Sequence, residues 1–318
     1  MKIAILTSGG DAPGMNAAIR SVTRCALTKG MTVYGIQRGF AGLLDGEFHE
    51  LTFNSVSDKL QRGGTFLQTA RCAEFRTIEG QKRGAQMLKT FGIDYLVVIG
   101  GDGSLTGGLS VSKLGIPVMG IPGTIDNDLG YTDFTIGFDT AVNTVLDCIS
   151  KIRDTSSSHE RTTIIEVMGR HCGDIALYAG MAGGAEAVLI PEIDYDINDI
   201  CQRIILGRNR GKVHNVLIKA EGTEMKSDEL AALIEERTGV EARAVILAYL
   251  QRGGSPTARD RMLATRCGEK AVQLIEQGSD SRAIGCAGNE IIHYPLEEAL
   301  QMKREFNKDL YDLAVILS

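Results

Sequence analysis

The sequence contains no tryptophan, 5% aromatic residues and six prolines in 318 positions. So few flat rings make stacking on exposed nucleic-acid bases a poor binding mode. The longest stretch free of Asp, Glu, Lys and Arg is 12 residues, 114–125. A membrane-spanning helix needs about 20 apolar residues, so no membrane partner is expected. Positive charge is not in excess either: 34 Lys and Arg stand against 40 Asp and Glu, a net charge of −6. That argues against nucleic acid as the main partner while leaving room for a local basic pocket. The seven cysteines are odd in number, scattered, and never form CxxC. They read as reduced thiols of a cytoplasmic protein, not as a disulfide framework. The five histidines show neither HExxH nor a Cys–His metal spacing. The opening MKIAILTSGGDAPG is too short an apolar run for a signal peptide.

Glycine is the residue in excess, with 38 copies. Excess glycine without excess proline implies tight turns and close backbone approaches, not a flexible linker. With 43% hydrophobic and 23% charged residues the composition is globular, and a prior of about 150 residues per domain suggests two domains. Short apolar, β-branched runs at 2–6, 32–36, 95–99, 118–121, 162–167, 187–190, 216–220, 244–250 and 283–286 read as strands. Helical patterns fall at 15–28, 79–90, 106–113, 140–153, 174–180, 198–211, 227–238 and 256–276. Strands apolar on both faces, alternating with helices, predict an α/β fold: two doubly wound, Rossmann-like domains with mainly parallel sheets. The expected division is 1–138 plus 251–300, and 139–250 plus 301–318.

Ligands of open parallel sheets bind beyond the carboxyl ends of the strands, so the loop after each strand matters most. After the first comes Thr7-Ser8-Gly9-Gly10-Asp11 and then a helix. This is either a tight turn or an anion seat built from bare N–H groups and a helix dipole. Gly100-Gly101-Asp102-Gly103-Ser104 precedes another helix. Asp102 there is either a helix N-cap or the carboxylate through which Mg²⁺ bridges protein and nucleotide. The loop lacks the last glycine of G-x-G-x-x-G, and no Walker A pattern occurs. Next comes Pro122-Gly123-Thr124-Ile125-Asp126-Asn127-Asp128. Asp126 and Asp128 project to one side if this loop is extended, which suits proton abstraction by one acid and orientation by the other. The same residue types also cap turns. Arg71, Arg161, Arg170, Arg243 and Arg252 sit beside glycines or at strand ends, as solvated groups or as planar forks for phosphate. Phosphoryl transfer fits these features best.

The stretches TSGGDAPGMNAAIR (7–20), RGGTFLQTAR (62–71), VVIGGDGS (97–104), PGTIDND (122–128), IGFDTA (136–141), IRDTSSSHER (152–161), VMGRHCGD (167–174) and QRGGSPTARDR (251–261) resemble bacterial ATP-dependent 6-phosphofructokinase. The resemblance runs from residue 1 to about residue 290. It implies transfer of a phosphoryl group from Mg²⁺-ATP to the 1-hydroxyl of fructose 6-phosphate, a committed step of glycolysis, by a cytoplasmic homotetramer. By resemblance, Gly10, Arg71, Cys72, Gly101, Asp102, Gly103 and Ser104 surround ATP, with Asp102 on the metal. Asp126 matches the general base. Thr124, Ile125, Asp128, Met168, Gly169, Arg170, Glu221, Tyr249 and Arg252 match sugar-phosphate positions. Arg161 and Arg243 match residues that reach the 6-phosphate from an adjacent subunit. Arg20, Arg24, Asp58, Arg153, Gly184, Ala185, Glu186, Arg210, Lys212, Val213 and His214 match the pocket for activating ADP and inhibitory phosphoenolpyruvate. Arg20 and Arg24 are four apart and share a helix face; without the family that pair reads as a solvated face.

Two positions depart from the family pattern. Tyr249 stands where relatives usually carry a sugar-contacting His, and Phe53 where they carry a basic residue. The expectation is therefore a weak response to phosphoenolpyruvate. Pyrophosphate-dependent relatives carry Asp and Lys where this chain has Gly103 and Gly123. A carboxylate at 103 would crowd and repel the α-phosphate of ATP, so ATP is the expected donor. A non-catalytic sensor of nucleotides and sugar phosphates would need a lost base, and Asp126 is present.

Overall fold

In the computed structural model, which describes residues 1–317, the first apolar run forms β1 (Lys2–Thr7), buried from Ile3 onward. The chain divides into two compact units. One comprises Met1–Thr140 and Arg252–Arg304; the other comprises Ala141–Gln251 and the stretch from Glu305 onward.

The first unit continues through α1 (Met15–Thr28), β2 (Thr32–Ile36), α2 (Gly39–Asp45), β3 (Phe48–Glu50) and α3 (Ile78–Thr90). It then adds β4 (Tyr95–Gly100), α4 (Asp102–Ser112), β5 (Val118–Thr124) and the two-residue β6 (Ile136–Gly137), which leads directly into α5 (Phe138–Ser158). The second unit holds β7 (Thr162–Val167), α6 (Asp174–Ala182), β8 (Ala187–Leu189), α7 (Ile197–Asn209), β9 (Asn215–Ala220), α8 (Ser227–Thr238) and β10 (Ala242–Ile246). The chain returns to the first unit with α9 (Ala258–Glu276), β11 (Arg282–Ala287), β12 (Glu290–Pro295) and α10 (Leu296–Ala299), and α11 (Lys308–Leu317) follows in the second.

The larger sheet has the order β12-β11-β5-β4-β1-β2-β3, with β6 beside β5. Its centre is parallel and its two margins are antiparallel pairs, β2–β3 and β11–β12. The chain leaves β1 toward β2 and later returns to β4 on the other side, so a topological switch point lies between β1 and β4. The smaller sheet, β10-β7-β9-β8, is parallel throughout. The core of the first unit gathers Leu6, Phe40, Leu43, Leu96, Val98 and Val118; that of the second gathers Ile164, Leu189, Ile204, Leu217 and Leu230. Two helices of the first unit approach closely because Gly268 on α9 has no Cβ: one there would lie 2.7 Å from the Ser21 Cβ on α1.

The pattern at 244–250 does not make one strand. β10 ends at Ile246, and Ala248–Arg252 is a 3₁₀ helix that begins with Ala248 at φ 44°. A left-handed residue breaks the extended ladder however apolar the run. Arg243 is consequently inside β10, and Arg252 ends the 3₁₀ turn.

Asp260, 1% exposed near the start of α9, holds the start of α5. Its Oδ1 accepts from Gly137 N–H at 2.9 Å, and Oδ2 accepts from Thr140 N–H at 2.8 Å and Oγ1 at 2.5 Å. Burial pushes this carboxyl up to about 6, against the hydrogen bonds that lower it. The reference is 3.8, so between about pH 4 and 6 the folded chain binds more protons here than the unfolded chain. Stability from this group is therefore greatest at low pH, falls by about 3 kcal/mol as pH rises through that window, and is level above it. Denaturant melts of the parent and Asp260→Asn across pH 4–8 should differ in slope between about pH 4 and 6, with the variant flatter. Equal slopes would show that Asp260 titrates alike in the folded and unfolded chains.

Candidate active site

Three loops at the carboxyl ends of β1, β4 and β5 meet beside the switch point. Ser8 N–H donates to the Ile99 carbonyl at 3.1 Å. A Cβ on Gly100 would lie 2.6 Å from both the Ser8 carbonyl oxygen and the Ser104 Cβ, and one on Gly9 would lie 3.1 Å from Ser104 Oγ. A Cβ on Gly101 would be 3.4 Å from the Thr124 Cβ. Gly9 also sits at φ 85°, a conformation that favours glycine. These glycines let the loops touch while leaving peptide N–H groups uncovered, which is how a phosphate is cradled.

Gly101 is the N-cap of α4, in an extended conformation, so Asp102 is the first helical residue and not the cap. Asp102 and Gly103 are exposed, Ser104 is buried, and a Cβ on Gly103 would meet nothing within 4 Å. The helix dipole favours an anion there. Asp102 is the one acid in the first turn of α4, and among the described residues no group of three or more His, Cys, Asp or Glu could hold a metal by itself. The Asp102 carboxylate is a donor of the kind Mg²⁺ takes, since that ion is held through one or two carboxylates together with substrate phosphates.

The Arg252 guanidinium lies against Gly10: a Cβ on Gly10 would fall 1.7 Å from its Nη1. An arginine fork thus stands beside the β1 loop, brought there by the segment that enters α9. Gly63 and Gly254 touch along their backbones, since a Cβ on Gly63 would lie 2.3 Å from the Gly254 carbonyl oxygen. Ser255 Oγ donates to the Gln61 carbonyl at 2.8 Å. Arg71 is exposed and Cys72 half-buried, in irregular chain between β3 and α3.

Beyond β5, Thr124 is half-buried, Ile125 is 1% exposed and Asp126 is 2% exposed. Asp126 N–H donates to Thr124 Oγ1 at 3.2 Å. The expectation that Asp126 and Asp128 lie on one side of an extended loop is not met: Asn127 between them is at φ 54°, which breaks the two-residue alternation.

In the second unit the carboxyl ends of β7, β9 and β10 carry the other residues except Arg161 and Arg243. Met168, Gly169 and Arg170 come after β7, with Gly169 at φ 139° and Arg170 at φ 54°. The Glu221 carboxylate accepts from Gly169 N–H at 3.2 Å and Arg170 N–H at 2.9 Å. Gln251, fully buried, accepts from Met168 N–H and donates to the Ala248 carbonyl, both at 3.2 Å. Sequence reasoning passes over this glutamine because its role depends on a loop distant along the chain. Tyr249 is 78% exposed. Arg161 precedes β7 and donates to Thr155 Oγ1 at 3.2 Å, while Arg243 pairs with Glu241 at 2.9 Å.

The remaining basic residues separate by unit. Arg20 and Arg24 lie on α1, where Arg24 stacks over the Phe53 ring at 5.8 Å, and Asp58 is exposed at φ 55°. In the second unit, Arg153 donates to the Gly183 and Gly184 carbonyls at 3.0 and 2.7 Å. Glu186, 9% exposed, pairs with Lys212 at 2.8 Å and Arg153 at 3.5 Å. Beside it is a cavity of ≈ 270 Å³ lined by Arg210, Lys212 and the apolar side chains of Ile200 and Ile204. Ala185 is buried, Val213 exposed and His214 half-buried.

A family profile described as phosphofructokinase matches residues 2–275. The chain belongs to the phosphofructokinase family. It is 59% identical over 316 residues to a protein of Clostridium botulinum (strain Loch Maree / Type A3) named ATP-dependent 6-phosphofructokinase, covering 99% of each chain. It is 58% identical over 317 residues to a protein of that name from Clostridium tetani, covering 100% of this chain and 99% of that one. The solved phosphofructokinase of Saccharomyces cerevisiae superposes with a TM-score of 0.91 at 34% identity, covering 99% of this chain; this chain spans 50% of the yeast chain. The phosphofructokinase fold therefore accounts for both sheets.

Gly10 is outside the left-handed region, so alanine fits its backbone; the group in the way is the far end of Arg252. Gly10→Ala should move that guanidinium and leave stability within about 1 kcal/mol, or ~2–4 °C in Tm. Losing one charge-assisted contact of about 1.5–3 kcal/mol should weaken a phosphorylated ligand by about 10–150-fold. Calorimetric titration with ATP and with fructose 6-phosphate reads this out. Unchanged affinity for both would show that Arg252 binds neither.

Proposed function

We propose that this chain transfers the terminal phosphoryl group of ATP to the 1-hydroxyl of fructose 6-phosphate, giving fructose 1,6-bisphosphate. The observation that carries the activity is the full-length likeness to relatives named ATP-dependent 6-phosphofructokinase. The glycine-lined edge beside the switch point supports the assignment of roles within the first unit. There the N–H groups of the β1 and β4 loops and the start of α4 receive the polyphosphate. Asp102 would hold Mg²⁺, which when bound neutralises charge on the phosphates. Arg71 spreads the charge of the transferred group, and Arg252 contributes a fork for the sugar phosphate. Asp126 takes the proton of the attacking hydroxyl as the new O–P bond forms. Burial of Asp126 keeps its oxygens from dispersing hydrogen bonds into bulk water.

The sugar phosphate is received by Met168, Gly169, Arg170, Glu221 and Tyr249 of the second unit, with Arg161 and Arg243 serving a neighbouring subunit of a homotetramer. The cation-rich cavity of the second unit supports binding of phosphorylated effectors of the ADP and phosphoenolpyruvate type. Phe53, which lies near Arg24 and brings no positive charge, supports a weak phosphoenolpyruvate response. No helix of the described residues is long and apolar enough to cross a membrane.

Asp126→Ser should lower kcat by roughly 10²–10⁴ with little change in either KM, because the acid acts on the proton in flight. Near-normal kcat would remove Asp126 from the role. Donor choice is tested at Gly103. Aspartate there meets no steric obstacle in the free protein, so Gly103→Asp should fold normally and still damage use of ATP more than use of pyrophosphate. Unaltered ATP kinetics would place donor discrimination elsewhere.

A further inference from the structure

We propose that Asn127 is the positioning residue of the catalytic acid: its side chain closes the loop that presents Asp126 and fixes where that carboxylate points. This rests on the reading of Asp126 as the base. β5 and β6 are parallel neighbours, with Gly123 opposite Ile136 and Thr124 opposite Gly137. Parallel strands ordinarily need a crossover of about a dozen residues or more. Residues 125–135 are the whole connection here, and they form no helix. A loop that short, with a buried interior, must satisfy its peptide groups with side chains.

Asn127 does this from inside. It is fully buried. Its Oδ1 accepts from Thr135 N–H at 2.9 Å, with Thr135 Oγ1 at 3.4 Å, and its Nδ2 donates to the Asp133 carbonyl at 3.2 Å. Thr135 Oγ1 donates onward to the Thr124 carbonyl at 2.6 Å, across the base of the same loop. The outgoing leg is fixed in turn by Gly137 N–H on Asp260. Asp126 therefore sits between two restraints, its own N–H on Thr124 Oγ1 and the next residue's amide.

The residue type is dictated by these demands. The backbone at 127 is left-handed, φ 54°, which asparagine tolerates better than most residues. The position needs one acceptor and one donor on a short stem. Aspartate lacks the donor and would add a third carboxylate between Asp126 and Asp128. Glycine meets the backbone demand alone.

The test is a double-mutant cycle on the full chain with Mg²⁺-ATP and fructose 6-phosphate. Asn127→Gly keeps the backbone conformation and removes the amide. It should lower kcat by about 10–100-fold, the scale of a misplacement near 1 Å, with both KM values within about twofold. Added to Asp126→Ser it should cause no further loss, since no base remains to be aimed. Thr135→Val, which keeps the N–H that Asn127 accepts, carries the same test if Asn127→Gly does not fold: a smaller kcat loss, likewise absent in the Asp126→Ser background. If Asp126→Ser collapses kcat while Asn127→Gly and Thr135→Val leave it unchanged, the positioning role is wrong and the base stands. If their losses persist undiminished in the Asp126→Ser background, the side chains act on general structure, and the proposal is likewise wrong. If Asp126→Ser itself retains kcat, the base assignment fails and the positioning role fails with it.

Discussion

A phosphate can rest on a peptide backbone only where no side chain stands in between, and the glycine-lined edge of the first unit meets that constraint. The loops leaving β1 and β4 diverge at the switch point, yet they touch: Ser8 bonds to Ile99, and Gly100 has no room for a methyl group. The same compactness directs the start of α4 outward, with Asp102 and Gly103 exposed at its tip. Arg252 completes the edge from a distant part of the sequence, at a spot open because Gly10 lacks a Cβ.

A second regularity accompanies the first. Loops at strand ends cannot pair their own N–H groups, and an unpaired buried N–H is costly. In both units side-chain acceptors take them. Asp260 receives the start of α5, Asn127 receives Thr135, Glu221 receives Gly169 and Arg170, and Gln251 receives Met168. Asn127, Glu221 and Gln251 each fix a segment that carries, or adjoins, a residue proposed to contact substrate. Asp260, Asn127 and Gln251 do this from buried positions and Glu221 from an exposed one.

How much of this is legible in the linear chain depends on the range of each signal. β1, β2, β4, β7, α1 and α8 announce themselves by local apolar periodicity, because buried parallel strands and amphipathic helices carry that signal within a few residues. The glycine loops are legible for the same reason: a run such as Gly100-Gly101-Asp102-Gly103 states its backbone needs locally. β12 and β3 leave little trace, because edge strands are partly exposed and mixed in composition. The 3₁₀ turn at Ala248–Arg252 is hidden inside an apolar run, since a single left-handed residue leaves no compositional mark. Asn127 and Gln251 do not stand out, because each acts through partners that only the fold brings near. The stacking of Arg24 on Phe53 likewise depends on a contact the linear sequence does not display.

If the glycine-lined edge directs the γ-phosphoryl of ATP to one sugar hydroxyl, the transfer can be watched atom by atom. The most direct measurement is a ³¹P NMR time course on a single mixture of enzyme, Mg²⁺, ATP, pyrophosphate and fructose 6-phosphate. The expected record is loss of the ATP γ resonance matched, mole for mole, by ADP and by a new phosphomonoester on the 1-hydroxyl, with the pyrophosphate signal intact. Consumption of pyrophosphate, or release of inorganic phosphate from ATP without a new sugar ester, would contradict it.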